Sequence, residues 1–274
     1  MTSSDLSSQL DMSVPHPARR YNYWLGGKDN FAVDRESGNA IEQIYPHIRT
    51  AARQNREFLR RVVRYLVQQA GIRQFLDVGT GLPTDGNTHE AAQVIAPECR
   101  IVYVDNDPLV MVHARALLTS SPEGRTAYLQ ADLREPQSIL ADKTLTTTLD
   151  LTQPVAVLLV AIVHFLSDDA VAGAAVKTLV DAVAPGSFLV VSHATDDLMD
   201  PASVKALTEG GYVGATDTTL RGKAWIAGLF GGLDLVYPGV RIVSDWRPDP
   251  VAVRPPAEHV SVYGGVAQKP SSPR

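Results

Sequence analysis

The chain reads as an α/β fold built on a mostly parallel sheet, and three observations predict it. Short apolar runs alternate with helix-length segments between residues 73 and 192, the pattern of parallel strands covered on both faces. The first run, Phe75-Leu76-Asp77-Val78, stops at Gly79-Thr80-Gly81. Such a turn lets backbone approach a ligand closely, because glycine has no Cβ and tolerates positive φ. Two late apolar runs are joined by a proline-rich loop with no room for a helix, which predicts an antiparallel pair at the sheet edge.

The elements follow in order. Met1–Val14 is polar and is expected to be disordered. Residues 15–47, dense in aromatic residues and glycine, are expected to be irregular. A long helix is predicted over Ile48–Ala70, where Leu59, Val62, Val63, Leu66 and Ala70 recur at helical spacing and Gly71 suits the position after the helix. Strands are predicted at Arg73–Val78, Arg100–Asp105, Thr126–Gln130, Val155–Val160 and Ser187–Ser192. Between them fall helices at Asp85–Ala96, Pro108–Leu118, Pro136–Leu140 and Asp168–Val183, with Pro108 apt for a first helical position. Pro201–Glu209 and Lys223–Phe230 read as helices, and Leu233–Val236 and Val260–Ala267 as the late strands.

Length and composition narrow the class. A chain of 274 residues, 45% of them hydrophobic, suits one large α/β domain with an N-terminal extension. The expected division is a tail at 1–14, a lid and helix at 15–70 and the main domain at 71–270. The net charge of −5 argues against electrostatic nucleic-acid binding, although residues 1–70 carry +3 and the remainder −8. Cys99 is the only cysteine, which leaves no intrachain disulfide and no cysteine metal cluster. The first residues lack a signal-peptide pattern. The longest apolar run, the nine residues Val155–Val163, falls well short of the roughly 20 needed to span a membrane. A soluble, cytoplasmic protein is expected.

The strand ends carry the chemistry. Gly79 and Gly81 fit the first two positions of a dinucleotide fingerprint, but Thr84 stands where the third glycine would be. Asp105, 26 residues after Gly79, ends the second strand, where a carboxylate accepts hydrogen bonds from ribose hydroxyls. Asp77, just before the glycine loop, is a poor neighbour for a pyrophosphate and a good one for an ammonium. At the third strand end, in Gln130-Ala131-Asp132-Leu133, Asp132 can accept from an adenine amino group while Leu133 lies against the ring. Any one of these aspartates could be a turn or cap residue. Together they point to a ligand with positive charge, such as S-adenosylmethionine (SAM), rather than to one with two phosphates.

These residues resemble those of class I SAM-dependent methyltransferases. More narrowly, the chain is similar to the actinobacterial S-adenosyl methyltransferase family, long known as a domain of unknown function. The similarity runs from Pro15 to Pro270 through Pro15-His16-Pro17-Ala18-Arg19, Leu25-Gly26-Gly27-Lys28-Asp29-Asn30, Asp77-Val78-Gly79-Thr80-Gly81-Leu82-Pro83-Thr84, Val102-Tyr103-Val104-Asp105-Asn106-Asp107-Pro108, Gln130-Ala131-Asp132-Leu133-Arg134 and Ser192-His193-Ala194. The Leu-Gly-Gly-Lys-Asp-Asn phrase is the specific one. The resemblance implies a Rossmann-like, seven-stranded, mostly parallel sheet whose last strand is antiparallel. It also implies SAM held by the glycine loop with Asp105 and Asp132, and it supplies no acceptor. Arg221-Gly222-Lys223 departs from the more polar, acidic helix start usual in the family.

The residues assigned to SAM are Tyr23, Gly26, Arg56, Asp77, Gly79, Thr80, Gly81, Asp105, Asn106, Asp132, Leu133 and Ala161. Methyl transfer is an in-line displacement that depends mainly on positioning; a base is needed only for a protonated acceptor. His164, at the end of the fourth strand, is the leading candidate base, His193 a lesser one, and His89 a structural residue. Asp168 and Asp169 suit a helix start better than a metal site with these histidines. The Tyr21–Asn30 segment reads as a lid that excludes water, with Tyr23 shaping the acceptor pocket and standing beside His164 as a second candidate catalytic residue. Arg49, Arg53, Arg56, Arg60 and Arg64 form a helical stripe; it is either solvated or, at Arg56, turned to hold an anionic group. The expected function is methyl transfer from SAM to a small molecule. The rivals are a catalytically silent SAM-binding regulator and an NAD-dependent oxidoreductase.

Overall fold

The computed structural model describes residues 12–84, 86–209 and 218–271. The disordered tail expected at the start lies almost wholly outside them. Five strands form the parallel part of the sheet: β1 (Gln74–Val78), β2 (Arg100–Asp105), β3 (Arg125–Gln130), β4 (Ala156–Val160) and β5 (Phe188–Ala194). Their order is β3-β2-β1-β4-β5, with Leu76 level with Val102 on one side and Val157 on the other. Successive side chains such as Phe75 and Leu76 are both fully buried. Because neighbours on a strand point to opposite faces, the sheet is covered on both sides.

The last strand, β8 (Val262–Gln268), runs antiparallel to β5. Beyond it lie two short pieces, β6 (Asp234–Leu235) and β7 (Arg241–Ile242), each antiparallel to β8. The described sheet therefore has eight strands rather than seven. The penultimate strand is split at Pro238 and Gly239, since proline has no N–H for the ladder and Gly239 has φ of +80°.

The segment 15–47, expected to be irregular, instead holds two helices, α1 (Pro17–Trp24) and α2 (Ala32–Ile44). Pro17 begins α1, and His16 Nδ1 accepts from Ala18 N–H at 3.3 Å. Buried Asp34 joins the pair, accepting from Phe31 N at 2.8 Å and from His16 N at 2.9 Å. Gly38 lets the helices cross closely: a Cβ there would sit 3.0 Å from the Tyr23 ring. The glycine and aromatic content masked this helical spacing.

The long helix α3 (Ile48–Gln68) stops two residues early, and the chain turns at Gly71 with φ of +71°. It lies against β4 and β8, burying Phe58, Val62 and Leu66. The described part of the next helix, α4 (Thr88–Gln93), is shorter than expected, and the expected start at Asp85 lies outside the described residues. Helices α5 (Pro108–Leu117) and α6 (Pro136–Ala141) match their expectations closely. An unexpected α7 (Lys143–Thr148) follows, capped by Asp142 and anchored by fully buried Leu145. Its threonines have low helix propensity, so packing rather than composition makes it helical. Helix α8 (Asp169–Ala182) is capped by Asp168, and α9 (Pro201–Glu209) and α10 (Lys223–Gly228) complete the described helices.

Candidate active site at the strand ends

A cavity of about 250 Å³ opens at the carboxyl ends of β1, β2, β4 and β5, where ligands of open α/β sheets bind. The glycine loop forms part of its floor. Gly79 and Thr80 N–H groups donate to Val104 O at 2.8 and 3.2 Å. Gly81 N–H donates to Asp105 Oδ2 at 2.8 Å, and Asp107 N–H to Oδ1 at 3.0 Å. Asp105 thus shapes the loop as well as facing the cavity. Gly79 (φ +74°) and Gly81 (φ +69°) both adopt left-handed backbone, but their surroundings differ. A Cβ at Gly79 would lie 2.7 Å from Ile162 Cβ; at Gly81 it would meet nothing within 4 Å. Gly79→Ala is therefore expected to destabilise the fold by about 2–3 kcal/mol and Gly81→Ala by about 1 kcal/mol. Equal losses in chemical denaturation would refute this difference.

Asp77 lines the cavity from the end of β1, 5% exposed. Burial pushes its carboxyl up to about 6, against the hydrogen bond from Thr88 Oγ1 (2.6 Å) and the nearby Arg56 charge. Asp105 is pushed up to about 6 by the same desolvation, opposed by its backbone donors. Arg56 also lines the cavity. Its Nη2 donates to Asn87 Oδ1 at 3.4 Å, and its Nε is buried with no partner. The rest of the arginine stripe disperses: Arg49 pairs with Glu42, Arg60 with Glu57 and Arg64 with Asp249, while Arg53 is exposed.

Thr80, Asn106 and Ala161 also reach the cavity. Ala161 has φ of +57°, a left-handed conformation rare without glycine, and is held there by Ser192, whose O and Oγ accept its N–H at 3.1 and 2.9 Å. Asp132 and Leu133 are placed elsewhere. Asp132 is gripped by Arg134 at 2.6 and 2.9 Å, which pulls its carboxyl down to about 2, and it meets the cavity lining only by accepting from Asn106 Nδ2 at 3.0 Å. Leu133 is buried in the core.

Tyr23 and Gly26 are not brought to the cavity. Tyr23 donates its hydroxyl to Asn39 Oδ1 at 2.7 Å, and Arg49 lies over its ring. Gly26 ends α1 with φ of +85°. Gly27 leaves room for the Asn22 side chain, and Asn30 Nδ2 returns to Asn22 Oδ1 at 2.9 Å and Gly27 O at 3.0 Å. The Leu-Gly-Gly-Lys-Asp-Asn phrase is thus a turn between α1 and α2. Pro17, Tyr21 and Trp24 face the cavity, at the helical spacing of four and three residues. The composition-led reading overlooked that spacing, along with His16, Arg20, Asn55 and Phe165, which also line it.

His164 lines the cavity, 8% exposed, from the turn after β4. Burial, with His193 and Arg221 adding to it, holds the ring's pKa well below the ordinary histidine value. Ala194 N–H donates to Nδ1 at 3.4 Å, which leaves the proton of the neutral ring on Nε2. His193 is fully buried away from the lining. Its Nδ1–H donates to Ala194 O at 2.7 Å and its Nε2 accepts from Arg221 Nη1 at 3.1 Å. His89 bonds Tyr103 OH at 2.8 Å inside the protein. Asp169 pairs with Arg221 at 2.8 Å.

The cavity thus combines carboxylates for ammonium or hydroxyl donors with a guanidinium for an anionic group. Among the described residues no helix is long and apolar enough to cross a membrane. No curated protein matches the chain. A DUF574-family protein from Streptomyces avermitilis is 44% identical, with 95% of this chain and 99% of that one covered and a TM-score of 0.89. A Thermobifida fusca protein assigned as a methyltransferase is 38% identical, covering 95% and 97%, at 0.86. The N-methyltransferase NodS of Bradyrhizobium japonicum, solved with S-adenosyl-L-homocysteine, covers 92% and 99% at 15% identity and 0.50, a likeness of fold alone. The family described as S-adenosyl methyltransferase matches residues 3–270. Joined to the two near relatives over almost the whole length, that match establishes that this chain belongs to the S-adenosyl methyltransferase family, whose cofactor is SAM.

Proposed function

We propose that residues 71–270 hold SAM over the strand ends while residues 15–70 close across it, and that a small cytoplasmic molecule takes the methyl group. The observation that carries the site assignment is the buried, unpartnered Arg56 Nε in a cavity that also presents Asp77 and Asp105. A guanidinium so placed suits a carboxylate, Asp77 suits an ammonium, and Asp105 has lone pairs left for ribose hydroxyls. The open space over Gly81 admits the ligand. Asn106 borders the site, and Asp132 steadies it. SAM, when bound, supplies an electrophilic methyl on sulfonium; the chain supplies alignment and a dry cavity. His164, neutral and facing the cavity, presents Nε2–H, so it acts as a hydrogen-bond donor unless its Ala194 contact opens.

Calorimetry tests this. SAM and S-adenosylhomocysteine should bind, and Asp105→Ala should weaken both by about 1–3 kcal/mol. Binding of NAD alone would overturn the assignment, and unchanged affinity in Asp105→Ala would remove its role. The pH dependence is distinctive. Asp77 and Asp105, raised to about 6, lose the charge that attracts a cationic ligand as pH falls through 6, so affinity should fall there. Fold stability should change less, because opposite effects meet. The two carboxyls penalise the fold progressively as pH rises from their ordinary value of 3.8 to about 6. His164 and His193, both lowered and His193 to about 4, penalise it as pH falls below 6.5. Affinity unchanged from pH 7.5 to 5 would contradict the assigned carboxylates.

A further inference from the structure

The cavity is divided by chemistry. Its charged lining gathers near the strand ends: Asp77, Asp105 and Arg56, with Arg20 close to His16, which itself touches Asp107 at 3.3 Å. The remaining wall is apolar, formed by Trp24, Ile41, Ile48, Phe165, Met199 and Leu207. Tyr21 and Tyr45 show it their rings, because their hydroxyls are committed elsewhere. Tyr21 OH donates to Ala52 O at 3.0 Å and Tyr45 OH to Glu258 O at 2.8 Å. Among the described lining residues the only carboxylates are Asp77 and Asp105. A cationic molecule against the apolar wall would lose its hydration with no carboxylate in return once Asp77 and Asp105 face the cofactor, whereas flat apolar molecules match aromatic walls.

One polar atom at this wall stands out. Asn55, 3% exposed, lies on the lining face of α3 with Ile48, Ala52 and Leu59. Its Nδ2 donates to Tyr21 OH at 3.0 Å, and Tyr21 spends its own proton on Ala52 O, so the amide orientation is set. Asn55 Oδ1 is then buried with no donor. Buried acceptors without partners are rare, and a ligand donor would satisfy this one.

We infer that the methyl acceptor is an uncharged, largely apolar ring compound whose one hydroxyl or amine N–H donates to Asn55 Oδ1. This rests on the charged half of the cavity being the cofactor site. In the transfer, the acceptor's oxygen or nitrogen lone pair forms the new bond to the methyl carbon. The carbon–sulfur bond breaks with its electrons staying on sulfur, and the acceptor's proton is released to bulk solvent as the methylated product leaves.

The test begins by titrating the full chain with S-adenosylhomocysteine; absence of binding there would defeat the cofactor reading on its own. The saturated protein is then titrated with naphthol, naphthylamine, methoxynaphthalene and naphthoate, all substituted at the same ring carbon. Naphthol or naphthylamine should bind about tenfold tighter than methoxynaphthalene or naphthoate, and which of the two binds tighter distinguishes a hydroxyl from an amine acceptor. Asn55→Leu should abolish the preference over methoxynaphthalene while retaining binding. Ile48→Trp, at the far end of the same helix face, should weaken every naphthalene at least about tenfold with S-adenosylhomocysteine affinity kept, a check independent of whether the Asn55 variant folds. Tighter binding of naphthoate, a preference that survives Asn55→Leu, or no naphthalene binding to the loaded protein would each overturn the inference.

Discussion

Arg19→Met is expected to destabilise the protein by about 3–5 kcal/mol, the loss seen when one partner of a buried ion pair is removed. Arg19 and Asp107 side chains are 4% and 1% exposed, joined by two hydrogen bonds of 2.9 and 3.1 Å. Asp107 has further tasks: it accepts from Leu109 N at 2.9 Å to cap α5, and it touches His16 Nδ1. Losing the guanidinium leaves its charge buried beside the cavity and frees α1, whose Tyr21 and Trp24 form part of the wall. SAM affinity should fall along with stability. Adding Asp107→Asn should recover much of the stability, since most of the penalty is an unpaired charge rather than a missing attraction. Urea unfolding of both variants is the measurement, and a double variant no better than the single one would count against this account.

Arg221→Lys is expected to lose about 2–4 kcal/mol, because one ammonium cannot replace a planar fork with three separate duties. Arg221 Nε donates to Asp169 Oδ1 at 2.8 Å, Nη1 to His193 Nε2 at 3.1 Å and Nη2 to Leu166 O at 2.6 Å, with its plane over Trp225. Leu166 O and His193 Nε2 are buried acceptors, so each orphaned one carries a desolvation penalty. The exposed carboxylate of Asp169 adds little. The same contacts tie the turn carrying His164 to the end of β5, which makes Arg221 a positioning residue. Thermal unfolding should show the loss, and the tautomeric 15N signals of His193 should shift as its Nε2 loses its donor. A variant with wild-type stability and an unshifted His193 spectrum would contradict this arrangement.

Legibility in the sequence varied with the range of the forces involved. Strands β1, β2, β4 and β5 were readable because each carries a run of buried, mostly apolar residues, and β3, where only Leu129 is buried, because it falls between helix-length segments in the same alternation. The glycine loop was readable because only left-handed backbone explains paired glycines after a strand. Helices α1, α2 and α7 were not: α7 is rich in threonine, α1 is hidden among aromatics and relies on Asp107 and Asp34 far along the chain, and α2 shares the same glycine- and aromatic-dense segment. Tyr23 and Trp24 are neighbours in sequence, yet one faces Asn39 and the other the cavity, a choice made by helical phase. Arg221 looked like a local departure from a family pattern until its partners, drawn from several segments, came together.

The sequence by itself determined the α/β sheet, the loop at Gly79–Gly81 and the acidic strand ends, because strand burial and left-handed glycines are local demands that nearby residues announce. Only the tertiary structure decided that Asp132 stays outside the cavity, that Asn55 keeps a lone acceptor within it, and that the arginine stripe scatters to separate partners. Those outcomes depend on which groups, far apart along the chain, compete for the same buried hydrogen bonds and charges once the helices close over the sheet.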